Sequence, residues 1–199
     1  MERTVPLLAY RRVVFRLAVA AAVSVAAFPA MAADPSQLVQ STAQQVIDIV
    51  KTKTGADRQA AILQVLQTKF DLPAMGRSAL GTHWNQATED QRTRFLKAVA
   101  TAEARAYSER FGQYGGQTLT VGKVTPRANG VTIVDSRLNQ KTGQPIKLEW
   151  EVRNDRITDV KVEGVSMVMT RRSDFNSYIQ NHGGKVDALV QELETRAAR

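Results

Sequence analysis

The sequence predicts an α+β fold in which helices wrap around one face of a small four-stranded antiparallel sheet. Apolar residues recur at helical spacing in the first part of the chain and again at its end. Between these regions, short segments alternate apolar and polar residues and are separated by Gly, Asn and Asp, as in strands joined by hairpins. We therefore expect helices over residues 35–115, the sheet over 117–164 and helices over 166–197, packed as layers of a single domain.

The first 32 residues have the features of a secretory signal peptide. A basic stretch from Arg3 to Arg16 precedes the small apolar run Leu17–Phe28, and Ala30-Met31-Ala32 supplies the small-x-small cleavage pattern. The apolar run is shorter than the roughly 20 residues that span a bilayer. We therefore expect export to the periplasm, cleavage near Ala32 and one mature domain over residues 33–199.

Charge and cysteine content are consistent with an exported protein. The full chain carries a net charge of +8, and residues 1–32 hold four arginines and one glutamate, a net +3, so +5 remains after cleavage. Export excludes nucleic acid as the partner of this basic surface and leaves anionic membranes, acidic proteins or no partner at all. There are no cysteines, so stability in an oxidising compartment must come from the core.

Four helices are expected before the sheet. The first opens at Asp34-Pro35, with Asp as the cap, and ends near Gly55. The second runs from Asp57 to Phe70, and a short third covers residues 71–81 ahead of a tight connection to Trp84. The fourth and longest begins at the capping box Thr88–Gln91 and ends before Gly112–Gly116.

The sheet is expected as a meander of four strands at about 117–125, 131–139, 144–153 and 156–164. One face is apolar, notably at Ile146, Leu148, Trp150 and Val152. Alternation along the same strand therefore places Glu149 and Glu151 on the solvent face.

The last strand is expected to turn directly into a helix. Val160 and Val162 alternate with charged residues, and Gly164 can adopt a backbone angle that other residues avoid. Ser166 can then cap a helix over 166–181, with a final helix over 185–197. A serine at such a corner is also found in nucleophile elbows, but the second glycine is replaced by Val168, which favours the cap.

Several segments, in the same order along the chain, resemble the MlaC family of periplasmic lipid carriers, also known as the toluene-tolerance auxiliary family. They are Leu80-Gly81, Trp84, Ala87-Thr88, Gln91-Arg92 and Phe95; Tyr107 and Tyr114–Thr118; Asp159–Phe175; and Gly183, Leu189 and Leu193.

This resemblance implies a curved sheet and helices that enclose an apolar pocket for lipid tails. It also implies a carrier that moves lipid between an outer-membrane lipoprotein complex and an inner-membrane ABC transporter, without a cofactor, a metal or covalent chemistry. The apolar residues expected to bind the tails are Phe70, Met75, Leu80, Trp84, Phe95, Val99, Tyr107, Phe111, Ile133, Ile146, Leu148, Trp150, Val160, Val162, Val168, Phe175 and Ile179.

The lipid and its headgroup contacts remain open at this point. A phospholipid is the first expectation, but family members commonly carry a tryptophan where this chain has Asn154–Ile157. That shorter hairpin resembles relatives associated with hopanoid biosynthesis. Arg171 and Arg172 fall within the apolar arc of their helix, so they either extend to water or pair with a lipid phosphate at the pocket rim.

Two other classes of function compete with the carrier. A small acid–base enzyme on a cone-shaped sheet would use Asp135 or Asp159 as its base. An adaptor would dock a membrane complex through its basic surface and would have a well-packed core without a cavity. A metal site is not expected, because His83 and His182 lie in separate segments without metal-ligand spacing.

Overall fold

The computed structural model describes residues 34–198, and the predicted signal peptide lies outside them. The order of helices, sheet and helices is confirmed. The helices are α1 Pro35–Thr52, α2 Gly55–Lys69, α3 Leu72–Leu80, α4 His83–Gln86, α5 Glu89–Phe111, α6 Met167–Asn181 and α7 Val186–Ala198. The strands are β1 Thr118–Pro126, β2 Thr132–Asn139, β3 Ile146–Arg153, β4 Arg156–Val162 and β5 Val165–Ser166.

The predicted caps set the starts of three helices. The side chain of Asp34 accepts a hydrogen bond from the Ser36 amide at the start of α1. Thr88 and Gln91 form both hydrogen bonds of the capping box at the start of α5. The Met169 amide donates to Ser166 Oγ over 3.0 Å, which confirms the serine as the cap of α6. Each of these bonds satisfies an amide that has no partner within its own helix.

The structure corrects two local predictions. The expected tight connection up to Trp84 contains the short helix α4. The sheet has five strands instead of four, because Glu163 and Gly164 both take positive φ angles, 49° and 82°. Two such residues make a tight hairpin turn, so the chain pairs Val165 with Val162 before the helix starts.

The sheet is antiparallel throughout, in the order β1-β2-β3-β4-β5, and its register separates an apolar face from a polar one. Lys161 forms an ion pair with Glu151 over 3.0 Å on the polar face, as expected for these carboxylates. The apolar face consists of four rows of opposed residues. They are Val121, Ser136, Leu148, Val162 and Val165; Val124, Val134, Trp150 and Val160; Leu119, Leu138 and Ile146; and Pro126, Thr132, Val152 and Ile157.

The helices pack as two groups. Helices α1, α3 and α6 contact the sheet, whereas α5 packs mainly on α2, α3 and α7. Three apolar clusters result: a helical cluster between α3, α5, α6 and α7, a sheet cluster around Trp150, and a third cluster between α1, α2 and α5. Phe70 belongs to both the sheet cluster and the third cluster, so it joins the two layers.

The corner between β4 and α6 is held by a buried carboxylate. Asp159 is only 7% exposed. Its oxygens accept hydrogen bonds from the Val160 and Val168 amides and from the Ser166 hydroxyl. This carboxylate therefore fixes the direction in which α6 leaves the sheet.

Replacing Asp159 with alanine is expected to lower the free energy of unfolding by about 3 kcal/mol, because buried donors lose their acceptor. Asp135→Ala, on the solvent side of β2, should cost less than about 1 kcal/mol. Urea denaturation of both variants measures the difference. Equal losses would contradict the role given to Asp159.

Candidate functional site

The apolar face of the sheet is fully buried at one end and less completely buried at the other. At the buried end, Val134, Trp150, Val152 and Ile157 are 0–9% exposed and pack against Val39 of α1. At the other end the side chains are only half-buried. We call this end the apolar mouth; its residues are Leu119, Leu138, Ile146, Leu148 and Val162.

Three connections surround the apolar mouth. The start of β1, the end of β2, the start of β3 and the end of β4 meet at the same end of an antiparallel sheet. Residues 112–117, the hairpin 140–145 and the turn 163–164 therefore lie around it. The first two are in contact, since a Cβ placed on Gly116 would lie 3.1 Å from Cε of Lys141.

Two aromatic residues of α5 belong to the third cluster, between α1, α2 and α5. The rings of Tyr107 and Phe111 stack with their centroids 5.6 Å apart, within the cluster that Phe70 links to the sheet. Burial raises the pKa of Tyr107 above its ordinary value of 10.0, and the charge of Glu103 raises it further. The phenol thus lies in surroundings that disfavour its ionised form.

The structure places the two arginines of α6 in different environments. The Arg171 guanidinium binds both carboxylate oxygens of Glu103 on α5 and also pairs with Asp174. Hydrogen bonding to Glu103 raises the pKa of Arg171. Arg172 instead lies against the backbone of Gly81. The two therefore do not form a joint anion site, and Arg171 already has acidic partners.

Arg171 also borders an open cleft of about 330 Å³ between α5, α6 and α7. Its apolar floor comes from Phe175, Tyr178, Leu189 and Leu193, and its rim carries charges of both signs. The cleft lies outside the sheet face, because its lining contains no strand residue.

The predicted tail-binding residues divide among the three clusters. The helical cluster contains eight of them: Met75, Leu80, Trp84, Phe95, Val99, Val168, Phe175 and Ile179. Its tight packing includes an edge-to-face contact of Phe95 on Phe175 at 5.6 Å. The sheet cluster contains Phe70, Leu148, Trp150 and Val160, and the third cluster adds Tyr107 and Phe111.

The three remaining predicted residues lie in the sheet outside these clusters. Ile146 and Val162 belong to the apolar mouth. Ile133 is opposite Glu151, so it lies on the polar face and is not brought together with the others. The prediction omitted Leu119, Val121 and Leu138, although alternation in β1 and β2 carries the same signal that identified the apolar face of β3.

The groups considered for chemistry have structural partners or lie apart. Asp159 is engaged in capping α6, and Asp135 lies opposite Glu149 on the polar face. Within residues 34–198 there is no group of three or more His, Cys, Asp or Glu side chains that could hold a metal ion. In the same range, no helix is both long and apolar enough to cross a membrane.

The raised pKa of Tyr107 is expected to appear as a late step when tyrosine ionisation is followed by absorbance at high pH. Because the folded state favours the neutral phenol, its contribution to stability is complete below pH 10 and is lost as the pH rises through the folded pKa. Tyr107→Phe should remove the late step, and Tyr178→Phe should retain it. A late step that survives in Tyr107→Phe would contradict the burial of this ring.

Comparison with known proteins agrees with this architecture. The family model described as MlaC protein matches residues 40–195. A solved structure of a phospholipid-binding protein from Ralstonia solanacearum, in complex with a phospholipid, superposes with a TM-score of 0.69 at 22% sequence identity. The match covers 83% of this chain and 98% of that one, and it shows a shared fold. Since the family model spans most of the sequence, this protein belongs to the MlaC family.

Proposed function

We propose that this protein is a periplasmic lipid carrier. It holds the tails of a phospholipid against the apolar face of its sheet and moves the lipid between an outer-membrane lipoprotein complex and an inner-membrane ABC transporter. Membership of the MlaC family supports the periplasmic location and these partners. The phospholipid bound to the Ralstonia solanacearum protein of the same fold supports the choice of cargo.

The observation that carries the proposal is the half-buried apolar mouth. Its side chains Leu138, Ile146 and Val162 lie on the apolar face but outside the packed clusters. Each methylene removed from water contributes about 0.8 kcal/mol, so an acyl chain laid along these residues gains stability at every carbon. Such a site needs apolar surface and few polar groups, because unpaired polar groups would cost free energy.

Tail binding here requires the layers around the mouth to separate or adjust. Helix α5 packs chiefly on other helices, whereas the sheet is held by α1, α3 and α6. In this proposal Tyr107 and Phe111 shift with α5 while the strands keep their register. The tails would enter at the mouth and extend towards Trp150, and the headgroup would stay at the surface.

The protein performs transfer without covalent chemistry in this proposal. Two carboxylates were considered as catalytic bases. Asp159 instead accepts a hydrogen bond from an amide at the start of α6, and Asp135 lies on the solvent side of β2. Energy for directional transport would come from the ATPase of the inner-membrane complex.

Native mass spectrometry of the purified protein tests the proposal. The wild type should carry one phospholipid or load one from vesicles. Leu148→Glu should reduce the loaded fraction about tenfold or more, because it places a charge where the tails lie. Ile133→Glu makes the same chemical change on the opposite face and should load like the wild type.

The outcomes separate the alternatives. A wild type that arrives without lipid and takes none from vesicles would overturn the carrier function. Co-purification of a hopanoid would support the carrier function but would show that the cargo is a hopanoid and not a phospholipid. Equal lipid loading by Leu148→Glu and the wild type would show that the apolar mouth is not the binding site.

A further inference from the structure

A second cleft, smaller and more polar, lies beside the apolar mouth. It has a volume of about 110 Å³ and is formed between α1 and the segment 114–119. Its polar lining comes from Gln40, Gln44, Lys51, Gln117 and Thr118.

The cleft is next to the surface proposed for lipid tails. Leu119 lines it and is also the member of the apolar mouth that β1 contributes. A molecule with its tails on the mouth could therefore place its first polar atoms in the cleft. The volume is too small for an acyl chain of ordinary length but suits a compact group such as a phosphate.

The charge of the cleft favours an anion. Its lining contains a lysine, side-chain amides and a hydroxyl but no carboxylate. Lys51 lies over the ring of Tyr114, with Nζ 5.8 Å from the ring centroid. Among residues 34–198, neither Lys51 nor the nearby Lys141 takes part in an ion pair. The one acidic residue of α1 is Asp48, which lies outside the lining and accepts from the side-chain NH₂ of Gln44.

The wall that carries Tyr114 is ordered by its own hydrogen bonds. The Tyr114 hydroxyl donates to the Gln117 carbonyl over 2.9 Å, and the Gly115 amide donates to Gln117 Oε1 over 2.8 Å. The bond from Gly115 engages the oxygen of the Gln117 side chain, so its NH₂ group remains available as a donor. Ring and amide are thus fixed before any ligand arrives, which lowers the entropy cost of binding.

We infer that this cleft binds the phosphate of the lipid headgroup, with Lys51 as its cation. The inference rests on the proposed carrier function and assigns the headgroup contact to α1 and the start of β1. Charge-assisted hydrogen bonds from Lys51 and neutral donors of the lining suit a phosphate oxygen. The charge of Arg171, by contrast, is already paired with Glu103 and Asp174.

The test compares lipids that share their tails and differ in the phosphate. Uptake of phosphatidylglycerol and of the matching diacylglycerol from vesicles is measured for the wild type, Lys51→Gln and Lys53→Gln. Lys53 is an exposed lysine two residues further along the chain and outside the cleft, so it controls for the lost charge. Lys51→Gln should weaken phosphatidylglycerol uptake about tenfold and leave diacylglycerol uptake unchanged, and Lys53→Gln should change neither.

Each other outcome overturns the inference in a recognisable way. If Lys51→Gln lowered the uptake of both lipids equally, Lys51 would act on the fold or on the tails and would not bind the phosphate. If Lys51→Gln took up phosphatidylglycerol like the wild type, the cleft would not be the headgroup site, although the carrier function would stand. No uptake of either lipid by the wild type would remove the carrier function itself. Titration with glycerol phosphate should show no binding at millimolar concentration; tight binding dependent on Lys51 would reassign the cleft to free phosphate esters.

Discussion

The constraint on which the rest of this structure depends is an apolar sheet face that is fully buried at only one end. Val134 and Ile157 are completely buried, whereas side chains of the same face are only half-buried at the apolar mouth. A core formed only for stability would bury both ends, because exposed apolar area loses about 25 cal/mol per Å² relative to burial. The less completely buried end is where the proposed function places an apolar ligand.

Polar contacts around this face stabilise the fold. The Asp159 carboxylate pins the start of α6, and the pair between Arg171 and Glu103 bridges α6 to α5. The Trp150 indole N–H donates to the buried Ser136 hydroxyl over 2.9 Å, so neither polar group lacks a partner. The eight predicted residues of the helical cluster belong to the packed core between α3, α5, α6 and α7. Binding is proposed for a smaller group on the sheet and on α5.

Local chemistry explains why most elements could be predicted from the sequence. Capping hydrogen bonds join residues only three positions apart, as between Thr88 and Gln91 and between Ser166 and Met169. Helix starts can therefore be predicted from the local sequence. The faces of β3 follow from strict alternation. Ile133 and Val134 are both apolar neighbours in β2, so only the register against Trp150 decides which of them faces the helices.

The candidate site was harder to predict because it depends on contacts between distant segments. Arg171 lies within an apolar arc on the helical wheel, and its partner Glu103 is 68 residues away. The sequence alone therefore could not show that this arginine is already paired. The small cleft at Lys51 joins α1 to residues more than sixty positions later, and no motif marks it. Whether an apolar side chain fills a core or lines a pocket is likewise decided by packing.

The central claim is that lipid tails lie on the sheet face that carries Trp150. The chain has two tryptophans, Trp84 in the helical cluster and Trp150 in the sheet cluster, so each can be observed alone in Trp150→Phe and Trp84→Phe variants. The direct measurement is fluorescence quenching by a phospholipid with brominated acyl chains, compared with the same lipid without bromine. The account predicts strong quenching of Trp150 and little quenching of Trp84. Quenching of Trp84 with Trp150 unaffected would place the tails among the helices and contradict it.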